Sequence, residues 1–84
     1  MDSLNLKLEQ FFDKYKVNNR NPNSEEYFST ALKISINEYD LSIQEFAVKF
    51  EVMGAVVERW AEGTQVPHPL LRREVLKYID QKID

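Results

Sequence analysis

Between Leu41 and Gly63 the chain has room for two helices and almost nothing to join them. Residues 41–63 read LSIQEFAVKFEVMGAVVERWAEG. Ser42 is placed to cap the first helix, and Glu45, three residues on, to return the bond as a capping box. Leu41 before the cap and Phe46 after it stand at hydrophobic-staple positions. Phe46, Ala47 and Phe50 then form one apolar face at helical spacing. Val56, Val57 and Trp60 supply the inward face of the second helix, and Gly63 is where that helix stops. The interval around Glu51 and Val52 is too short for anything but a sharp turn.

The rest of the chain reads as helices laid around this pair. Residues 3–16 place Leu4, Leu8, Phe11, Phe12 and Tyr15 on one stripe, with Asp2 or Ser3 as the cap. Adjacent Phe11 and Phe12 need cover, either from the rest of the domain or from a second copy of the chain. Residues 17–23, VNNRNPN, form a loop, because asparagine is dense there and Pro22 breaks a helix. Ser24 caps the next helix, with Glu25 and Glu26 in its first turn, where the helix dipole favours acids. That helix runs to about Tyr39 with Phe28, Ala31, Leu32, Ile36 and Tyr39 on one stripe, and Asp40 ends it. After Gly63, Pro67 and Pro69 keep TQVPHP extended. The last helix runs from about Leu70 to Ile83, with Leu71, Val75, Tyr78 or Ile79, and Ile83 inward. No segment alternates in the manner of a strand. The expected fold is all-α, a small bundle of about five helices containing a helix-turn-helix. One domain is expected over 1–84, with 1–23 as an N-terminal helix and loop and 24–84 as the core.

The central stretch resembles the helix-turn-helix of the lambda-repressor/Cro-like (XRE-type) domains. The residues that carry the resemblance are Leu41, Ser42, Glu45, Phe46, Ala47, Phe50, Val52, Val57, Arg59, Trp60 and Gly63. The likeness is tight over about two dozen residues and looser through Pro67 and the last helix. Ala47 matters physically, because the second helix crosses the first closely there and a larger side chain would push them apart. The sequence departs from the family pattern at three places. Glu51 stands at the corner, where glycine is usual because the backbone tends toward positive φ. Met53 stands where Ser or Thr usually caps the second helix, a loss of roughly 1 kcal/mol. Ile43 stands where Gln is frequent.

The resemblance implies DNA as the partner. The second helix would enter the major groove, presenting Met53, Gly54, Ala55, Glu58 and Arg59 to base edges. Ser42 and Gln44, at the N-terminus of the first helix, would position phosphates. Arg72, with Arg73 beside it, would reach the backbone or lie on a solvated face. Arg59 is the one strong DNA ligand in the outward set; it can equally pair with Glu58 or Glu62. Glu58 would repel phosphates but can accept from a cytosine. Met53, Gly54, Ala55 and Val56 start the reading helix apolar and small. That start suits thymine methyl groups, a close-packed protein partner, or burial under the chain's own N-terminal helix.

Composition narrows the rest. The 84 residues carry a net charge of −3. Residues 1–40 balance at −2 and residues 41–84 at −1, so neither half is a basic module. Sequence-independent affinity for nucleic acid, which scales with phosphates neutralised, should therefore be weak. There are no cysteines, which excludes disulfides and thiolate metal sites and suits a reducing cytoplasm. No apolar run approaches the ~20 residues that cross a bilayer, so no membrane partner is expected. MDSLNLKLEQ does not read as a secretory signal. His68, alone between two prolines, reads as a surface loop residue rather than a ligand. With two glycines, Gly54 and Gly63, there is no phosphate loop. Glu25 and Glu26 are adjacent on a helix and diverge, so they make poor acid/base partners. No enzyme and no cofactor are expected. Trp60 reads as core rather than as an exposed recognition residue.

Two functional expectations stand side by side. One is a small DNA-binding regulator of the helix-turn-helix type, working as a two-fold dimer because one unit buries too little DNA for specificity. The other is a module that keeps the fold but binds protein, suggested by the negative balance and the weakly polar reading face.

Overall fold

The computed structural model describes Gln10, residues 12–15 and residues 24–83. The chain is all-α, and no strand occurs among the described residues. Four helices are described over their full length: α1 (Glu25–Glu38), α2 (Ile43–Phe50), α3 (Gly54–Glu62) and α4 (Pro69–Lys82). Gln10 and residues 12–14 are helical as well, before them in the chain. The remainder of the expected N-terminal helix, with Leu4, Leu8 and Phe11, and the 17–23 loop lie outside the described residues.

The helix starts follow the sequence signals. The Ser24 hydroxyl accepts from the Tyr27 amide at 3.0 Å and caps α1, with Glu25 and Glu26 in the first turn. At α2 both halves of the capping box form: Ser42 Oγ accepts from the Glu45 amide, and Glu45 Oε1 accepts from the Ser42 amide, each at 3.0 Å. Met53 is the N-cap of α3 and makes no side-chain cap bond. The last helix begins one residue earlier than expected, at Pro69, whose fixed φ and missing N–H suit the first turn. Its cap is His68, whose Nδ1 accepts from the Leu70 amide at 3.1 Å. His68 is exposed, as expected, but it caps the start of a helix rather than idling in a loop.

The helix ends depend on left-handed residues. Glu51 ends α2 at φ 58°, ψ 47°, and the Val52 amide turns back to the Ala47 carbonyl at 3.0 Å. Gly63 ends α3 at φ 81°, and the Thr64 amide turns back to the Arg59 carbonyl at 3.2 Å. Both are endings in which a left-handed residue lets the next amide satisfy an orphan carbonyl. Asp40, after α1, is also left-handed, at φ 61°. Its neighbour Leu41 donates to the Ser35 carbonyl at 3.2 Å, which carries the chain directly into the cap of α2.

The core is shared by all four helices. Phe28, Ala31 and Leu32 of α1 meet Phe46 and Ala47 of α2, Val57 and Trp60 of α3, and Val75 and Ile79 of α4. Phe28 and Trp60 meet edge to face at 6.0 Å between centroids. Phe12 is fully buried and lies against Tyr27, centroids 4.5 Å apart. The chain itself thus covers Phe12, and a second copy is not needed to bury it. Four buried residues were not on the expected stripes: Tyr27, Ser29, Ser35 and Leu76. Ser35 is tolerated because its hydroxyl donates to the Leu32 carbonyl at 2.8 Å, which satisfies it inside the helix. No described helix is long and apolar enough to cross a membrane.

Candidate nucleic-acid interface

Helix α3 is fastened along one side and open along the other. Val57 and Trp60 are buried, and Val56 and Ala61 are partly covered. Ala55, Glu58, Arg59 and Glu62 are exposed. Those four positions fall at i, i+3, i+4 and i+7, which puts them on a single helical face. Met53, just before them, is 73% exposed. At the start of α3, Met53 and Ala55 are thus open while Gly54 and Val56 are partly covered.

Gly54 behaves differently from its neighbours. It was expected to point outward with them, but it is half-buried. A Cβ built there would lie 3.5 Å from Ile43 Cγ2, so this position faces α2. A methyl there would make an ordinary van der Waals contact with Ile43, so Gly54 belongs to the α2–α3 seam rather than to the outward face.

The presented face is short of positive charge. Arg59 is its one cation, between Glu58 and Glu62 on the same helix. Among the described residues Arg59 makes no ion pair with either acid. Its guanidinium keeps its five donors for a partner. Glu51 stands exposed at the corner and adds a further acid.

At the N-terminus of α2, Ser42 and Gln44 are both exposed. The Ser42 hydroxyl and amide are already occupied by the capping box, and the box brings the Glu45 carboxylate to the end of the helix. A phosphate arriving there would meet that carboxylate, so Gln44 is the freer of the two expected contacts. Arg72 is partly buried, and its Nη1 donates to the Pro67 carbonyl at 3.0 Å. That bond ties Pro67 to α4 and engages the guanidinium that was expected to reach the backbone of DNA or lie on a solvated face.

One cluster was missed in the sequence. Tyr78 of α4 stands edge-on to Phe46 at 5.4 Å and to Phe50 at 5.7 Å. Lys49 Nζ lies 5.8 Å and Lys82 Nζ 5.5 Å from the centre of the same ring. Tyr78 and Lys82 are four apart on one helix, which was a legible signal; Lys49 joins them only through the packing of α2 on α4.

Among the described residues no three His, Asp or Glu side chains are gathered as metal ligands. In comparisons with family models, curated proteins and solved structures, nothing matches this chain.

Proposed function

We propose that this chain is a small helix-turn-helix DNA-binding protein, a transcriptional regulator of the lambda-repressor/Cro-like kind. One observation supports this above the others. Helix α3 follows α2 across a three-residue corner and is anchored in the core by Val57 and Trp60, the latter against Phe28 of α1, while a face at helical spacing is left free. The major groove is wide enough to take a helix presented in that way. In this reading Arg59 donates to a guanine edge, Glu58 accepts from a cytosine amino group, and Met53 and Ala55 meet thymine methyl groups. Gln44 contacts the phosphate strand beside them. Two copies act together, because a single short helix reads too few base pairs for a specific site.

The test is a titration of the intact chain against genomic fragments at low salt, where electrostatic attraction is strongest. The expected result is saturable binding to a subset of fragments. Arg59→Ala should weaken that binding by about 1–3 kcal/mol, roughly tenfold to a hundredfold, and relax preference at one base position. A flat titration across all fragments contradicts the proposal.

The composition of the presented face favours one second reading. Met53 and Ala55 are apolar and exposed, and Glu58 and Glu62 flank Arg59. A face of that kind also suits a protein partner or a second copy of the chain. Capture of the same partner protein from cell extract, before and after nuclease treatment, selects this reading over DNA.

A further inference from the structure

A shallow groove runs along α2 and against α4 without using any residue of α3. Its walls include Gln44, Glu45, Val48, Lys49 and Tyr78. Val48 is 67% exposed and holds its isopropyl group in water there. Tyr78 is braced from behind by Phe46 and Phe50, so its ring is a fixed wall rather than a mobile side chain. The ammonium groups of Lys49 and Lys82, from two different helices, both lie within cation–π distance of that ring.

The charge pattern is unusual for this chain. Acids outnumber bases by 14 to 11. Even so, among the described residues neither Lys49 nor Lys82 forms an ion pair. The acid in the groove, Glu45, is committed through Oε1 to the Ser42 amide. The groove therefore offers an apolar floor, with Lys49 on one wall, Lys82 beside the Tyr78 ring, and Glu45 as the one acid in its lining. We propose that it docks an acidic peptide segment of a partner protein. One apolar side chain of that segment lies on Val48 and Tyr78, and its flanking carboxylates pair with Lys49 and Lys82. A phosphate chain suits the groove less well, because it has nothing to place on Val48. This surface borders the DNA reading at Gln44 but uses no residue of α3, so variants at Lys49 and Lys82 test it separately.

The test is selection of a random peptide library, displayed on phage, on the immobilised intact chain. The expected winners combine Asp or Glu with a central Leu, Ile, Val or Phe. The variant carrying Lys49→Gln and Lys82→Gln should bind a winning peptide about tenfold more weakly, the combined loss of two exposed charge pairs. The variant carrying Lys49→Arg and Lys82→Arg should bind it as the unmodified chain does. Thermal melts followed by circular dichroism check that both variants fold. Three results overturn the proposal: winners without acids or no winners at all, a glutamine variant that folds and binds undiminished, or inorganic polyphosphate displacing the peptide as effectively as free peptide does.

Discussion

Glu51 sits at φ 58°, ψ 47°, a conformation that costs a residue with a Cβ about 1–2 kcal/mol. It is held there because the Val52 amide must return to Ala47 for α3 to start two residues later. Glycine would adopt the same backbone without that strain, although it loses more freedom on folding. The balance predicts that Glu51→Gly stabilises the protein by about 0.5–1 kcal/mol, measured by urea unfolding. A loss of stability would mean that Glu51 makes a compensating contact at the corner. This strain was legible in the sequence only through the resemblance, which implies glycine at the corner where Glu51 stands. The left-handed Asp40 was not, because Asp is tolerated in that region and the preceding helix had no glycine to mark its end.

Among the helices, the starts of α1 and α2 could be read from the chain because their caps are local. Ser24 and Ser42 make bonds to amides three residues away, and no tertiary contact is needed to form them. Ser42→Ala removes the exposed capping box and should cost about 1 kcal/mol. For a domain of this size that lowers the midpoint of thermal unfolding by roughly 4–8 °C. An unchanged midpoint would show that packing alone holds α2. The inward faces were legible in part. Phe28, Phe46, Val57, Trp60, Val75 and Ile79 lie where helical spacing puts them. Tyr27 and Leu76 were missed because each sits beside a stripe residue, and a third helix decides whether that flank is covered. Tyr27 is covered by Phe12, from a part of the chain distant in sequence. The fate of Arg72 was equally out of reach: its bond to the Pro67 carbonyl depends on how the proline segment folds back onto α4.

Across the molecule, the two surfaces that stand out are chemically different. The outer face of α3 carries Arg59 among acids, and the groove of α2 and α4 carries two lysines over an aromatic wall. The first was legible, because an anchored helix must leave its opposite face free; the second was not, because it joins Lys49 and Tyr78 only after α2 and α4 pack. Net charge of −3 opposes the approach of DNA as a whole, so the proposed binding would have to come from short-range contacts at α3 rather than from long-range attraction. The most direct check on this account is a nuclear magnetic resonance titration, in which backbone amide signals of the intact chain are followed as duplex fragments are added at low salt. The account predicts that the largest shifts map to Gln44 and to residues 53–59, with Lys82 and the second half of α4 unmoved. Shifts that are absent throughout, or that gather around Lys49, Tyr78 and Lys82 while residues 53–59 stay still, would contradict it.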